Sequence, residues 1–238
     1  MDTSSKSVDA YRARAARYDQ YASVTMGDRK RQRRFLDDLL DRQRFTRDVF
    51  LDLGCGTGFF SEVIFQHRPA LRGHLVDGSP EMLELARHRL TADGRTVSYH
   101  HSLFDGFDWS VEPAFDLVFS AYAIHRVADA DKWKLFATIR SHLGPDGSFI
   151  LFDNFLPRET AARETIEYLT CMDIKRRSHA YLTPIEDVIA NDRKVKESEG
   201  DQEANFEENL QQLRAAGFRE VTPVFLEARY GGIVASKP

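Results

Sequence analysis

The sequence predicts an α/β fold: a mostly parallel sheet of seven strands between two layers of helices, closed by an antiparallel C-terminal hairpin. Three observations carry this expectation. From Val49 to Asp153 short β-rich apolar runs alternate with helical segments, the rhythm of right-handed βαβ units. Runs such as Phe149-Ile150-Leu151-Phe152 are apolar without a break, as strands covered on both faces are. The last two β-rich runs, 221–229 and 231–237, stand too close together for a parallel crossover and imply a hairpin.

The elements follow in order. Phe35, Leu36, Leu39 and Leu40 recur at helical spacing, so Arg29 to Phe45 reads as an amphipathic helix whose arginines are solvated. Val49 to Gly54 is a first strand ending in glycine turns, followed by a helix through Phe59, Val63 and Ile64. His74 to Asp77 is a second strand. The helix of residues 80–90 opens with Pro80, whose missing N–H costs little there, and Ser79 is placed to cap it. Residues 97–102 alternate like a strand, and 115–120 form a buried one. Asp131 to Leu143 reads as a helix with Trp133, Phe136, Ala137 and Arg140 on one line, stopped by Gly144-Pro145. Strand 148–153 comes next. Residues 157–203 are helical in pattern and crowded with charge, an insertion before the rhythm resumes. A helix from Asn205 to Ala216 stops at Gly217, and Tyr230-Gly231-Gly232 joins the final pair of strands.

Composition narrows the class. The chain has 238 residues, 33 Lys+Arg against 37 Asp+Glu, a net charge of -4 and 2 cysteines. That length suits one large core. Two cysteines support neither a disulfide framework nor a zinc-finger set. Apolar runs are far shorter than the ~20 residues of a membrane-spanning helix, and the N-terminal stretch lacks the apolar core of a secretory signal. The expectation is a cytoplasmic protein. A mildly acidic total argues against a surface built throughout for nucleic acid.

The most informative segment is Leu51-Asp52-Leu53-Gly54-Cys55-Gly56-Thr57-Gly58. In an open α/β sheet, ligands bind at the carboxyl ends of strands, where glycines let the backbone approach them. About 20 residues on, Asp77 ends the second strand and can take the hydroxyls of a ribose. The dinucleotide pattern G-x-G-x-x-G fails, because Phe59 stands where its third glycine belongs. A cofactor with a cationic amino-acid tail would instead use Asp52 and the free backbone amides.

Together these segments resemble the class I S-adenosylmethionine (SAM) dependent methyltransferases. LDLGCGTG matches their glycine-rich motif, VDGSPEMLELAR their second motif, FDLVFSAYAIHRV (115–127) the fourth-strand motif and LGPDGSFILFD (143–153) the fifth-strand motif. The likeness covers roughly residues 49–154 and the C-terminal hairpin. It implies a Rossmann-like three-layer sandwich, a helical N-terminal lid (1–48) and a SAM-binding domain (49–238) with a helical insertion at 155–204. It places Asp52, Gly54, Cys55, Gly56 and Gly58 around the methionine part of the cofactor, Asp77 and Gly78 at the ribose, and Met82 beside the adenine. Ser102, Leu103 and Phe104 fall at the adenine edge, and Ser120, Ala121, Tyr122 and His125 near the sulfonium. Ala15-Ala16-Arg17-Tyr18-Asp19 resembles the A-x-x-Y-D signature of small-molecule methyltransferases, which makes Tyr18 a candidate lid residue over the cofactor.

Methyl transfer from a sulfonium is a displacement on an already activated group, so little machinery is expected beyond alignment. If a base is needed, His125 is the candidate, with Asp153 and Asn154 at the tip of strand five as alternatives. His100-His101 lacks helical ligand spacing, so no metal is expected. Ser120-Ala121-Tyr122-Ala123 replaces the Asn/Asp-Pro-Pro-Tyr/Phe of base-amine methyltransferases, which favours a small-molecule acceptor. The insertion supplies Tyr168, Met172, Ile174, Tyr181 and Leu182 beside Lys175, Arg176 and Arg177, suited to an acceptor with an apolar body and an anionic group.

Other readings stay open. IHRVADADKWKLF and the hairpin also resemble the carboxy-SAM synthase group of tRNA uridine modification, with the basic N-terminal helix as an RNA surface. A SAM-binding protein without turnover is a third reading, and a dehydrogenase a distant fourth. The chain is expected to act as a monomer or homodimer.

Overall fold

The computed structural model describes residues 17–91, 95–202 and 204–237. Ala15 and Ala16 of the A-x-x-Y-D signature lie outside them. The sheet has seven strands: β1 (Val49–Leu53), β2 (Arg72–Asp77), β3 (Thr96–His101), β4 (Phe115–Ala121), β5 (Leu143–Asn154), β6 (Glu220–Glu227) and β7 (Tyr230–Ser236). Their order is β3-β2-β1-β4-β5-β7-β6, and β7 is antiparallel to both neighbours. The alternation of strands and helices therefore builds the mixed sandwich it predicts. The order reverses at β1/β4, and the ligand crevice of an open α/β sheet forms at such a reversal.

Eight helices are described: α1 (Tyr18–Thr25), α2 (Arg29–Arg42), α3 (Phe59–His67), α4 (Pro80–Arg89), α5 (Asp129–Ser141), α6 (Thr160–Arg177), α7 (Ile185–Glu199) and α8 (Phe206–Ala215). Successive residues of β1 face opposite layers. Phe50 joins Leu36, Leu40, Phe60 and Phe65 on one side, while Val49, Leu51 and Leu53 join Leu135, Phe136 and Leu213 on the other. Ser79 caps α4 by accepting from the Met82 amide.

Three local expectations are corrected. The fifth helix ends at Ser141, and Gly144-Pro145 runs inside β5, because Leu143 already pairs with Phe115 on β4. Trp133 is 48% exposed rather than packed in line with Phe136. The hairpin turns at Ala228-Arg229, with Ala228 at φ 50°, while Gly231 and Gly232 lie within β7. A Cβ on either glycine would strike Phe155 or Phe225, so these glycines admit aromatic rings against the strand.

The insertion is α6 and α7, and its ends meet where Phe155 and Ala204 form an isolated parallel bridge. Among the described residues no helix is long and apolar enough to cross a membrane.

Candidate active site

A cavity of about 700 Å³ opens at the carboxyl ends of β1, β2 and β4. The glycine loop makes its floor. Gly54, Gly56 and Gly58 all adopt positive φ, which L-residues with a Cβ reach only under strain. The three are not equivalent. A Cβ on Gly54 would lie 2.3 Å from the Ala123 Cβ, whereas one on Gly56 would find nothing nearer than Tyr18 at 3.8 Å. Gly54 lets two strand ends pack, and Gly56 presents bare backbone to the cavity. Gly58 turns away, toward Ala86 of α4.

Asp77 ends β2 at the rim of this floor. Its carboxylate accepts from the Gly56 amide at 2.8 Å and the Ser79 amide at 2.9 Å, which fixes its orientation and leaves acceptor capacity over. Burial raises its pKa, and the two amides oppose that shift.

Tyr18, Gly54, Gly56, Asp77, Gly78, Met82, Ser102, Leu103, Phe104 and Ala121 line the cavity. Asp52, Cys55, Gly58, Ser120 and His125, also expected at the cofactor, do not. Asp52 is 2% exposed and takes a short hydrogen bond from Ser61 behind the loop; burial pushes its carboxyl up to about 7. The buried Ser120 hydroxyl donates to the Leu53 carbonyl at 2.7 Å. Both reach the site only through the backbone they brace.

The expected base lies off the cavity wall. His125 sits in the turn after β4, and its Nδ1 lies 2.5 Å from Asp153 Oδ1. Its Nε2 faces Asp201 Oδ1 at 3.4 Å. Burial disfavours the imidazolium, yet Asp153 and Asp201 outweigh it and raise the pKa to about 9. Nδ1 is engaged by Asp153, Nε2 is buried without a hydrogen bond to any described residue, and the ring does not line the cavity. Asp153 is spent on this pair and likewise lies off the cavity wall.

The far wall holds residues the sequence reading did not single out: Trp109, Arg126 and one face of α5 with Asp131, Lys134 and Leu135. The i, i+3, i+4 spacing of the last three marks a shared helix face, although nothing in it announced a cavity. The insertion's Tyr168, Tyr181 and Leu182 are instead exposed, at 46%, 62% and 100%. Arg177 alone of the three basic residues reaches inward, donating to the Gly27 carbonyl and to the Tyr230 hydroxyl.

The N-terminal helices and the insertion meet over Tyr122, which stands at φ 55°. Its hydroxyl accepts from Gln32 Nε2 at 2.6 Å, and its ring packs edge-on against Tyr230 at 6.4 Å. The Tyr230 hydroxyl donates in turn to the Thr25 carbonyl at 2.8 Å.

A family model described as a methyltransferase domain matches residues 50–147. Over that stretch the chain is similar to SAM-dependent methyltransferases. Over 75 residues it is 37% identical to a malonyl-[acyl-carrier protein] O-methyltransferase of Acetivibrio thermocellus, covering 32% of this chain and 25% of that protein. A longer likeness, 25% identical over 201 residues, joins it to the carboxy-S-adenosyl-L-methionine synthase of Campylobacter hominis, covering 84% of this chain and 82% of that one. In fold it is similar to the protein of a DhpI–SAH complex, with a TM-score of 0.59 and 18% identity over 99% of this chain and 97% of that one. The chain thus spans a quarter of the first of these relatives and most of the other two.

The residues present fit the cofactor. Asp77 offers free acceptor capacity at the cavity rim, Gly56 leaves room for a ligand against backbone, and Met82, Leu103 and Phe104 provide apolar surface that could take a base.

Proposed function

We propose that this protein transfers the methyl group of SAM to a small-molecule acceptor and does so by alignment, without a histidine base. SAM supplies the activated methyl; the chain's own residues hold the donor and exclude water. Asp77 would hold the ribose, Met82, Leu103 and Phe104 the adenine, and the Gly54–Gly58 loop the amino-acid end. The observation carrying this reading is the convergence of lid and insertion on Tyr122 beside the cavity, through Gln32, Tyr230 and Arg177. A site capped from two sides suits a small acceptor. Orienting reactants alone can supply about 7–11 kcal/mol of the barrier.

The length of the likeness to carboxy-S-adenosyl-L-methionine synthase supports a second reading, in which SAM gains a carboxylate from a second substrate that serves as the carboxyl donor. An RNA surface on α2 has less support. Gln32 turns inward, Arg31 pairs with Glu227 at 2.8 Å and Arg33 bonds Gln66, which reduces the charge α2 offers a phosphate backbone.

The test is incubation with methyl-labelled SAM and fractionated metabolites, read by mass spectrometry. Labelled acceptor together with S-adenosylhomocysteine is the expected result. SAM converted to its carboxylated form would replace the first reading by the second, and cofactor recovered unchanged from every fraction would overturn both.

A further inference from the structure

Two histidines meet beneath the outer wall of the cavity. His74 of β2 and His100 of β3 share one face of the sheet with Val76, the register partner of His100. His74 is 7% exposed and His100 is partly buried. Their rings are nearly parallel with centroids 5.3 Å apart, and His74 Nδ1 lies 3.1 Å from His100 Nε2. On its other side, His74 Nε2 lies 3.3 Å from Glu112 Oε1, and Glu112 also accepts from Arg72.

Glu112 decides where the protons sit. Burial would raise its carboxyl, but Arg72 and His74 hold it below its usual range, so it is ionised and only accepts. His74 Nε2 must then carry a proton, which leaves a lone pair on Nδ1 of the neutral ring. The hydrogen of the histidine–histidine contact therefore comes from His100 Nε2. The neutral pair is a one-way chain, His100 to His74 to Glu112. A proton added to His100 Nδ1 leaves that chain intact. One added to His74 can go only on Nδ1, where it sets two N–H donors and two charges against each other at 3.1 Å. Burial lowers the pKa of both rings. At His74, Glu112 opposes this and Arg72 adds to it; at His100, His74 adds to it and Asp108 opposes it.

The segment over the pair gives the chain a consequence. His100 meets Phe107 edge-on at 5.3 Å, Phe107 meets Trp109 at 5.2 Å, and Trp109 lies 5.0 Å from His142 at the end of α5. Residues 102–112 thus cover the histidines, and the same segment gives Ser102, Leu103, Phe104, Asp105 and Trp109 to the cavity wall.

We propose that the His74–His100 chain is an acid-sensitive latch on segment 102–112: with His74 neutral it fastens the outer wall of the cavity, and a second proton releases it. Lifting the segment returns both rings to water, where they titrate at about 6.5. Closure is therefore fully favoured above that pH and weakens as pH falls below it. The latch holds whatever reaction the cavity performs; only the ligand arm of its test rests on the methyltransferase reading.

The test is hydrogen exchange of the 102–112 amides at about pH 7.5 and 5.5, expressed as protection relative to the unstructured chain. The proteins are the wild type, His100→Gln and His74→Gln/His100→Gln, since glutamine keeps a donor and an acceptor without titrating. Wild-type protection should fall about tenfold or more over this interval, that of the double variant less than about twofold, and that of His100→Gln by an intermediate factor. His101, bonded to the Gly78 carbonyl, and His142 are present in all three proteins, so their contributions are common. In the wild type alone, imidazole NMR should show His74 and His100 titrating below about 6.5 in coupled steps. Equal pH dependence of protection in the wild type and the double variant overturns the latch, as does titration of both rings at the ordinary value. S-adenosylhomocysteine affinity should fall at least about threefold more in the wild type than in the double variant over the same interval; equal falls would disconnect the latch from the cavity and overturn the inference. A wild type that binds no S-adenosylhomocysteine at either pH, yet shows the exchange difference, would bring down the methyltransferase reading and leave the latch standing.

Discussion

His125 and Asp153 are joined twice: the His125 amide donates to Asp153 Oδ2 at 2.8 Å, and its Nδ1 lies 2.5 Å from Oδ1. With Asp201 on the other ring nitrogen, the pair pins the turn after β4 to the tip of β5 and to the end of the insertion. Its pKa of about 9 stands above the ordinary 6.5. The folded chain therefore holds the proton more tightly than the unfolded chain. The stabilisation is fully present below pH 6.5 and lost as pH rises through about 9. His125→Gln should cost about 3–5 kcal/mol at pH 6, and its urea midpoint should vary less than the wild type's between pH 6.5 and 9. A variant as stable as the wild type at pH 6 would remove the ion pair from the account.

Asp52 behaves in the opposite way for a carboxylate. Burial lifts its pKa to about 7 from 3.8, so whatever it contributes is present below pH 3.8 and lost as pH rises through about 7. Asp52→Asn, which can still accept from Ser61, should raise the unfolding free energy at pH 8 and change it little at pH 4. Denaturant titrations at the two pH values check this; lower stability of the variant at pH 8 would show that the charge is needed in the fold.

Gly54 and Gly56 separate folding from binding. Gly54→Ala drives a methyl into Ala123 and should abolish cooperative unfolding or soluble expression. Gly56→Ala meets only Tyr18 at van der Waals distance and costs only about 1–2 kcal/mol of backbone strain, yet its methyl would stand in the cavity proposed for the cofactor. Circular dichroism should find it folded, and calorimetry should find SAM binding weakened at least about tenfold.

Arg177 joins the insertion to the turn between α1 and α2 through the Gly27 carbonyl, and to β7 through the Tyr230 hydroxyl. Arg177→Met should speed amide exchange in α1 and the turn before α2, while Lys175→Met and Arg176→Met leave it unchanged. Equal exchange in all three variants would return Arg177 to the solvated face expected of its neighbours.

Wherever period and turn chemistry act locally, the sequence was enough by itself. The alternation of β-rich runs with helices determined the parallel sheet, the short link after β6 determined the hairpin, and the glycine loop with Asp77 marked the cavity floor. These are properties of neighbouring residues. Partners far apart in the chain were decided only by the tertiary structure. His125 read as a base until Asp153 and Asp201 enclosed it. Asp52 read as a cofactor ligand, although the side chain of a buried strand lies under the sheet's cover and only the backbone beyond it reaches the crevice. Arg29 read as one solvated arginine among several and instead stacks on Phe59, 12% exposed; charge pattern says nothing about which member of a basic helix turns inward. That depends on where α2 docks, and docking against Phe59 and Tyr18 is a long-range packing outcome that no local period encodes.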